Sequence, residues 1–443
     1  MENPDFTIQT LGTPALDSPI SHSKKLGDFV SNYVSDDERT IYNTLTQPDT
    51  PVRHHENQLL ELAGPRQKIF FEPDTTHAAI VTCGGLCPGL NDVIRAIVMC
   101  LWYRYGVKNV SGIKFGYRGF LNEFSYPFMP LDPDIVEDIH QKGGTILGSS
   151  RGYGNRTSDI VDALAKNNID ILFTIGGDGT QKGAINIAAE IKKRNLNIAV
   201  VGVPKTIDND ISFVQRSFGF ETAVSVAVQA VEAAHTEAHD APHGIGLVKV
   251  MGRQSGFIAA HTALAANDAN VVLVPEVPFE LDGPNGLLYY LHKRIDVRNH
   301  AVILAAEGAG QRLMEETNAA DESGNPKLSD IGAFLKQKIS QYFQQKDIEI
   351  NLKYIDPGYI IRSAPANPND SIYCAQLGTN AVHAAMAGKT AMLVALFNNH
   401  FVHIPTQLAV SKKNCIDPDG ALWRSVVEAT GQPPLMISEP ATK

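Results

Sequence analysis

Residues 170–210 constrain the fold more than any other stretch, because they have the pattern of a complete strand, helix and strand. An apolar run from Asp170 to Ile175 leads into Gly-Gly-Asp-Gly-Thr at 176–180, and a second run from Ile198 to Val203 leads into Pro-Lys-Thr-Ile-Asp-Asn-Asp at 204–210. Apolar residues recur with helical spacing between the two runs. Parallel strands joined in this way end at the same sheet edge, so we expect the two polar loops to start side by side.

The same alternation of strands and helices continues on both sides of this unit. Strands are predicted near residues 78–82, 110–114, 246–250, 271–274, 301–306 and 391–397, and helices near 92–105, 134–142, 184–191, 221–238, 333–344 and 374–387. A chain of 443 residues exceeds the size that one hydrophobic core usually supports. We therefore predict an α/β protein with two Rossmann-like α/β domains, mainly parallel sheets, and N-terminal and C-terminal extensions.

The expected boundaries follow the changes in pattern. They are 1–73 for the N-terminal extension, 74–219 plus 364–400 for the first domain, 220–363 for the second domain and 401–443 for the C-terminal segment. Within the extension, Leu26, Phe29, Val30 and Tyr33 have the spacing of one helix face and predict a docked helix.

The composition and charge of the chain argue against nucleic acid and membranes as partners. The net charge of −10 argues against nucleic acid, which needs clustered Lys and Arg. The longest apolar run, Ala391 to Phe397, is much shorter than the roughly 20 residues that span a bilayer. The start of the chain has no secretory pattern, and the 5 cysteines are scattered in an odd number. We expect a soluble, cytoplasmic protein with no nucleic-acid or membrane partner.

Three carboxylates in the two loops suggest phosphate chemistry. Asp178, Asp208 and Asp210 would repel one another unless a cation or a proton-accepting role accounts for them. Mg²⁺ commonly takes one or two protein carboxylates together with phosphates and water, which leaves another Asp to accept a proton from an attacking hydroxyl. The alternative is that these residues only cap helices and form turns.

The glycine loop at 176–180 is weak evidence alone, since the sequence has no Walker A loop and Lys182 replaces the third glycine of a dinucleotide fingerprint. Arg253, Arg362 and Lys353 are predicted at strand ends or in loops, where they would suit phosphate oxygens. A solvated surface position is the alternative for each of them.

Five motifs in order resemble the 6-phosphofructokinase family. They are Gly84-Gly85 with Pro-Gly-Leu-Asn at 88–91, the loops 176–180 and 204–210, Met-Gly-Arg at 251–253, and Glu307-Gly308. The resemblance covers about residues 76–400. The combination of Gly179 with Lys205 also resembles the ATP-dependent enzymes of plants and trypanosomes, which are similar overall to the pyrophosphate-dependent enzymes.

The resemblance implies an activity and an assembly. A family member would phosphorylate the C1 hydroxyl of D-fructose 6-phosphate with MgATP, giving fructose 1,6-bisphosphate and ADP in glycolysis. The first domain would bind the donor and the second domain fructose 6-phosphate. A homo-oligomer, most often a tetramer, with allosteric control would also be expected.

The resemblance assigns roles by motif position. The catalytic positions are Asp208 as general base, Thr206 and Asp210 beside the reacting sugar, and Arg253 as the stabiliser of the transferring phosphoryl group. The sugar-phosphate positions are Met251, Gly252, Glu307, Lys353, Tyr359 and Arg362. The donor positions are Gly84, Tyr117, Arg151, Gly152, Asp178, Gly179, Thr180, Gly183 and Lys205, with Asp178 as the Mg²⁺ ligand. Relatives often carry Arg and His where this chain has Lys353 and Tyr359.

The choice of phosphoryl donor depends on Gly179 and Lys205. ATP users typically have Gly at both positions, whereas pyrophosphate users pair Asp with Lys. An Asp at position 179 would place negative charge against a nucleotide phosphate, while Lys205 can neutralise either donor, so we predict ATP. The alternatives are a pyrophosphate-dependent enzyme, a lipid or NAD kinase with a similar glycine loop, and a non-catalytic regulatory subunit that binds sugar phosphates.

Overall fold

A computed structural model of the chain describes residues 4–42, 58–315 and 328–437. The strands are β1 (Gln9–Thr10), β2 (Leu16–Asp17), β3 (Arg39–Ile41), β4 (Leu59–Leu62), β5 (Lys68–Ile69), β6 (His77–Thr82), β7 (Asn109–Ile113), β8 (Met129–Pro130), β9 (Ile171–Gly176), β10 (Ala199–Pro204), β11 (Gly244–Val250), β12 (Val271–Leu273), β13 (His300–Ala306), β14 (Asn351–Ile355), β15 (Lys389–Thr390), β16 (Met392–Phe397) and β17 (His400–Pro405).

The α-helices of the same residues are α1 (Leu90–Cys100), α2 (Thr157–Lys166), α3 (Asp178–Lys193), α4 (Phe220–His239), α5 (Phe257–Ala266), α6 (Leu287–Arg298), α7 (Ile331–Gln345), α8 (Gly358–Ser363), α9 (Pro368–Met386), α10 (Thr406–Ala409) and α11 (Ala421–Thr430). A π-helical turn, Leu101–Tyr105, extends α1. None of the helices in these described stretches has the length and apolar content to cross a membrane.

The chain divides into two compact units. The first comprises Met1–Thr206, Ile211–Gly219 and Ala364–Lys412, and the second comprises Ile207–Asp210, Phe220–Ser363 and Lys413–Lys443. Each unit has its own main sheet and its own core, and the first unit also contains the two-stranded sheets β1-β15 and β2-β5.

The first unit is built on a nine-stranded sheet in the order β3-β4-β17-β16-β10-β9-β6-β7-β8. Its centre, from β16 to β7, is parallel. The buried residues of β9 and β10 form continuous apolar runs, as expected for strands covered on both faces. On one face, α2 and α3 pack through Leu164 and Ile187 against Leu172 and Val200. Helix α9 contacts β10 and α1.

The second unit has a four-stranded sheet, fully parallel, in the order β12-β13-β11-β14. Alternate residues of β11 enter different cores: Val248 and Val250 pack with α4, α5 and α11, whereas Ile245 and Leu247 pack with α6 and α7. This alternation follows from the two-residue period of a strand. Helices on both faces of a parallel sheet confirm the predicted α/β class.

The predicted extensions are incorporated into the two units. Strand β17 pairs antiparallel with β16 and then with β4, which pairs with β3. Residues 401–412 thus belong to the first unit and 413–443 to the second. Buried Glu61 fixes the N-terminal part, since its carboxylate lies 2.8–3.1 Å from nitrogens of His403, Lys389 and Arg66. Burial opposes ionisation, but these partners hold the pKa of Glu61 well below its ordinary value.

Two helix predictions are wrong. The stretch around Leu26 and Phe29 forms turns in which Asp28 accepts bonds from Ser23 and the Val30 amide, and Leu26 and Phe29 are 92% and 105% exposed. An acceptor side chain at a turn competes with helical bonding, and apolar spacing alone did not reveal it.

The second wrong prediction is the helix over 134–142, where turns and a short 3₁₀ helix, Ile139–Gln141, are found instead. Asp132 accepts a bond from the Ile135 amide at 2.8 Å and so starts a turn. Val136 and Ile139 are buried without a continuous helix.

Candidate active site

Each sheet contains a point at which the winding direction reverses, and ligands of doubly wound folds bind at such points. In the first unit the chain passes from β6 to β7 on one side and later to β9 on the other side of β6. In the second unit, β13 and β14 flank β11 on opposite sides. The loops after β6 and β9, and those after β11 and β13, are therefore the candidate sites.

In the first unit, the ends of β9 and β10 lie side by side, as the sequence predicts. Pro204 pairs in register with Gly176, and the Lys205 amide donates to the Gly176 carbonyl at 3.0 Å. The Lys205 side chain is buried and its ammonium donates to the Gly85 carbonyl in the loop after β6. A buried cation thus joins the two loops of this switch point.

The predicted donor residues Asp178, Gly179 and Thr180 form the first turn of α3. The Asp178 carboxylate is partly exposed and lies 2.9 Å from the Lys182 ammonium, one turn along the helix. Gly179 is exposed, and a Cβ atom added there would have no heavy atom within 4 Å. The helix therefore presents its N-terminal amides and an open glycine at the switch point, an arrangement that suits an anion.

Tyr117 and Gly183 lie beneath this turn rather than on its surface. The Tyr117 hydroxyl donates to the Thr180 carbonyl at 2.7 Å, and its buried ring lies 2.7 Å from the position of a Cβ atom on Gly183. Burial raises the pKa of Tyr117 well above its ordinary value, so the hydroxyl stays protonated. Its placement supports α3 from below.

Gly84, Arg151 and Gly152 occupy the neighbouring loops. The Gly84 amide donates to the Ser150 carbonyl at 2.9 Å, which ties the loop after β6 to the residues before Arg151. Arg151 and Gly152 are exposed, and the Arg151 guanidinium lies 3.7 Å from the Cβ position of Gly85. The structure thus brings the predicted donor residues of this unit to one edge of its sheet.

The residues present fit a magnesium ion. One partly exposed carboxylate, Asp178, stands at the N-terminus of α3, and Mg²⁺ commonly binds one or two protein carboxylates with phosphate and water oxygens. No group of three His, Cys, Asp or Glu within the described ranges is arranged to hold a metal by itself. The donor set therefore suits a cation that arrives with phosphate oxygens.

Thr206 ends the part of the first unit that follows β10, and its carbonyl accepts a bond from the Ser217 hydroxyl. The chain then enters the second unit, where Asp208 and Asp210 lie. Asp208 Oδ2 accepts from the Arg253 amide at 3.4 Å, and the Asp208 carbonyl accepts from the Ser255 hydroxyl at 3.1 Å. The predicted base and Arg253 are thus brought together by the loop after β11.

The Asp208 carboxyl has the electrostatic setting of a base active near neutral pH. Burial, followed by the nearby charges of Asp210 and Glu307, raises its pKa to about 7. The Arg253 amide and Lys413 act in the opposite direction. Oδ1 is buried, and no hydrogen-bond partner for it exists among the described residues. A carboxylate in this setting is suited to general base catalysis, because its pKa lies near a neutral operating pH.

Glycines let the two loops of the second switch point approach closely. The Gly308 amide donates to the Gly252 carbonyl at 3.0 Å, and a Cβ atom on Gly308 would lie 1.9 Å from the Arg253 carbonyl oxygen. Gly252 has a φ of 128°, which L side chains rarely adopt. Met251 is buried in the core between the sheet and α4 and α5.

Glu307 follows β13 directly and is the second carboxylate of this loop pair. Its amide donates to the Val250 carbonyl at 2.9 Å. Burial raises the pKa of Glu307, while Lys249, Arg362 and Arg253 oppose that rise. The nearby charge of Asp356 adds to the rise, and the three cations reduce it without cancelling it, so the pKa of Glu307 stays above its ordinary value.

Of the three cations predicted to suit phosphate oxygens, Arg253 is described above, and Arg362 and Lys353 lie in different elements. Arg362 lies in α8, with its guanidinium 5.0 Å from the ring centre of Tyr359, which is largely exposed. Lys353 is exposed in the middle of β14, so the prediction of a strand-end position for it is wrong. It pairs with Gly246, four residues and therefore about 13 Å before Val250.

Sequence reasoning missed Lys249 and Lys413. The Lys249 ammonium lies 2.9 Å from Asp356 and 3.1 Å from Asp330, and it is the first of the charges that oppose the raised pKa of Glu307. The Lys413 ammonium lies 2.8 Å from Asp210. Lys249 stands two residues before Met251 in a buried strand, where a lysine is unusual and could have been noticed. Lys413 carries no comparable signal.

Comparison with known proteins identifies the family of the chain. Residues 77–385 match the family model described as Phosphofructokinase. The chain is 55% identical over 439 residues to an ATP-dependent 6-phosphofructokinase of Borreliella burgdorferi, with 98% of each protein covered. It is 48% identical to an ATP-dependent 6-phosphofructokinase of Trypanosoma cruzi, covering 84% of this chain and 76% of the relative.

The fold is similar to that of solved structures as well. A pyrophosphate-dependent phosphofructokinase from Marinobacter aquaeolei superposes with a TM-score of 0.66 at 20% identity, covering 82% of this chain and 92% of that one. The motifs, the two doubly wound sheets and these relatives lead to one conclusion: the chain belongs to the phosphofructokinase family.

Proposed function

We propose that the protein transfers a phosphoryl group from MgATP to the C1 hydroxyl of D-fructose 6-phosphate, giving fructose 1,6-bisphosphate and ADP in glycolysis. The observation that carries this proposal is Asp208, whose buried carboxyl has its pKa raised to about 7 beside Arg253 and Glu307. The similarity to relatives named ATP-dependent 6-phosphofructokinase supplies the substrate class.

The second unit provides the groups for the sugar phosphate. Asp208 takes the proton of the C1 hydroxyl as that oxygen forms its bond to the γ-phosphorus and the bond to the β-phosphate oxygen breaks. Arg253 stabilises the charge on the transferring group, since phosphoryl transfer depends mainly on positioning and charge. Glu307 accepts hydrogen bonds from sugar hydroxyls and Gly252 lines the sugar, whereas the side chain of Met251 lies in the core of the unit.

The 6-phosphate requires cations. Arg362 is suited to it because its planar guanidinium can contact two phosphate oxygens at once. Tyr359 supports that guanidinium through the ring contact described above. Lys353 lies too far along β14 to join Arg362 at the same strand ends, so the 6-phosphate is assigned to Arg362.

The first unit provides the donor site. The α3 N-terminus with Gly179 and Thr180, the loop with Gly84, and the cations Lys205 and Arg151 would face the nucleotide phosphates. Asp178 would hold Mg²⁺, which when bound neutralises charge on the phosphates. Lys182, now paired with Asp178, would release it to the ion.

A donor comparison tests the proposal. Initial rates of fructose 6-phosphate phosphorylation should be measured with Mg²⁺ and either ATP or pyrophosphate at equal concentration. We expect faster turnover with ATP because the site at Gly179 is open. Faster turnover with pyrophosphate would instead give Lys205 the deciding role. Binding of fructose 6-phosphate without turnover on any donor would favour a regulatory subunit.

A cytoplasmic homo-oligomer, with a tetramer favoured, completes the proposal on family grounds. Light scattering coupled to size-exclusion chromatography of the purified protein gives the subunit number directly. A monomer that is fully active would remove the oligomer from the proposal.

A further inference from the structure

A short strip of chain near the C-terminus, residues 413–416, lies along the loop that carries the candidate base. The Lys413 ammonium is 2.8 Å from Asp210 Oδ2. The Asn414 amide donates to the Asp210 carbonyl at 2.9 Å, and its side chain donates to the Asn209 carbonyl at 3.4 Å. The loop is thus held by a charge contact and by two hydrogen bonds from adjacent residues.

The other end of the strip is attached to the same unit. The Ile416 amide donates to Glu276 Oε1 at 2.8 Å, and that carboxylate also accepts from the Gly256 amide immediately before α5 at 2.9 Å. The Cys415 thiol contacts the Gln254 carbonyl at 3.4 Å. The strip therefore bridges the Asp208 loop and the loop after Arg253, and it has little freedom to move independently.

Lys413 lies well outside residues 77–385, the part of the chain that matches the family model. Its side chain is 33% exposed, whereas that of Asp210 is 13% exposed. An ion pair with one nearly buried member is less screened than a surface pair, so removing its cation leaves a poorly solvated carboxylate. The consequences should appear at Asp208, two residues away.

Two carboxylates and one ammonium act on the Asp208 carboxyl in opposite directions. Asp210 and Glu307 raise its pKa, while Lys413 lowers it. Lys413 opposes the rise in two ways, because it attracts the Asp208 carboxylate itself and offsets the charge of Asp210. Arg253 contributes its backbone amide to the same carboxyl.

We propose that Lys413 is a positioning residue for phosphoryl transfer: its ammonium holds Asp210, and with Asn414 it keeps the 208–210 loop in the conformation from which Asp208 accepts the proton. The proposal rests on the role of Asp208 as base given above. Lys413 itself has no contact with the substrate in this scheme, and it acts through its ion pair with Asp210 and through its attraction for the Asp208 carboxylate.

The test compares Lys413→Met and Lys413→Gln with Lys413→Arg. A matched control, Lys412→Met, removes the neighbouring lysine, whose ammonium lies 5.6 Å from the Phe213 ring instead. For the Met and Gln variants we expect kcat to fall about tenfold, with a smaller change in the KM for fructose 6-phosphate. The acid limb of the kcat/KM profile should move upward by about half a pH unit or more, since loss of a cation raises a carboxyl pKa.

The direction of the pH shift follows from the role of Asp208 as the base. Asp208 must be ionised to accept a proton, so activity is lost as the pH falls through its pKa, and a higher pKa moves that loss to higher pH. Lys413→Arg keeps the charge and should restore most of the rate and the original profile. Equal effects of Lys412→Met and Lys413→Met, or an unshifted acid limb in both uncharged variants, would overturn the proposal.

A double-mutant cycle with Asp210→Asn tests the path of the effect. Because Lys413 acts in part through Asp210, Lys413→Met should lower kcat by a smaller factor once Asp210 is neutral. Full additivity contradicts the proposal. The proposed function and the role of Lys413 can be refuted separately. Failure of the wild-type protein to turn over fructose 6-phosphate would refute the proposed function. Normal wild-type turnover with unaltered variants refutes only the role of Lys413. Circular dichroism and fructose 6-phosphate binding establish that each compared variant is folded.

Discussion

The two switch points of the protein share a topology but differ in what fills them. At the first, between β6 and β9, Gly179 is exposed with open space around its Cβ position, and the cations Lys205 and Lys182 contact a carbonyl and a carboxylate. At the second, between β11 and β13, Gly308 has no room for a Cβ atom, and the carboxyls of Asp208 and Glu307 have raised pKa values.

The difference indicates a division of labour. An open helix N-terminus with cations nearby suits the phosphates of a polyanionic donor. Closely packed carboxyls with raised pKa values suit a group that must give up a proton at one atom. The first switch point should therefore tolerate added volume in the protein but not added negative charge, whereas the second should tolerate neither loss of a carboxylate nor added volume.

Replacing the base should have the largest effect. Asp208→Asn keeps the size of the side chain but removes the proton acceptor, and we expect kcat to fall about 10²- to 10⁴-fold, the usual contribution of general base catalysis. Fructose 6-phosphate binding, measured by calorimetry, should persist. The exposed Asp240 provides a control, since Asp240→Asn removes the same charge outside both switch points. Turnover unchanged in Asp208→Asn would remove Asp208 from the mechanism.

The next prediction concerns the open glycine. Gly179→Asp should lower kcat/KM for ATP about 10²-fold or more, because a carboxylate about 4 Å from a phosphate charge is repelled by several kcal/mol at a protein surface. The fold should be retained, since the added Cβ meets no atom within 4 Å and an acidic residue is favourable in the first turn of a helix.

The matched control for that variant is Gly179→Ala, which adds the Cβ atom without the charge. We expect it to keep most of its activity with ATP. Rates should be compared for both variants with ATP and with pyrophosphate. Retained ATP activity in Gly179→Asp would contradict the charge argument, and equal losses in the two variants would replace it with a steric one.

The packing contrast can be tested by stability alone. Gly308→Ala places a methyl group 1.9 Å from the Arg253 carbonyl, so the loops must separate, and we expect a loss of about 1–3 kcal/mol in unfolding free energy. Gly179→Ala should leave stability unchanged or slightly raised, because alanine favours a helix. Urea midpoints of the two variants, followed by circular dichroism, give the comparison. Similar midpoints would show that the second switch point is not closely packed.

Sequence reasoning was most successful where backbone logic decided the outcome. The 170–210 unit predicted two adjacent strand ends, and β9 and β10 lie in register up to Gly176 and Pro204. Buried strands and long amphipathic helices have strong periodic signals. The turns around Leu26 and Phe29 were missed because local acceptors such as Asp28 compete with helix bonding in a way that apolar spacing does not show.

The features that could not be predicted from the sequence depend on contacts between distant parts of the chain. Lys413 and Asp210 are 203 residues apart, and no local pattern connects them. Lys353 was assigned by motif to a site whose strand ends it does not reach, since the register of β14 with β11 can be read only from the fold. The raised pKa of Asp208 likewise depends on burial and on the charges of Asp210 and Glu307, which lie in different loops.

The smallest predicted effect tests whether the second switch point depends on cations outside its loops. Lys249 opposes the rise in the pKa of Glu307 and holds Asp356, whose other oxygen accepts from the Gly358 amide at the start of α8 at 3.0 Å. Lys249→Met should therefore reduce the ionised fraction of Glu307 and disturb the start of α8, the helix that carries Arg362. We expect the KM for fructose 6-phosphate to rise about three- to tenfold, which corresponds to roughly 0.7–1.4 kcal/mol, with kcat changed less.

The pH dependence distinguishes the two routes of this effect. Loss of Lys249 raises the pKa of Glu307 further, so the increase in KM should grow as the pH falls, because protonated Glu307 accepts fewer hydrogen bonds. Asp356→Asn is the matched variant: it disturbs the start of α8 while Lys249 keeps its charge, and the loss of the Asp356 charge lowers the pKa of Glu307 instead of raising it. A KM increase in Lys249→Met that is independent of pH and equal to that of Asp356→Asn would mean that Lys249 only positions α8. A KM that stays at the wild-type value would mean that the acceptor carboxylates do not depend on this lysine.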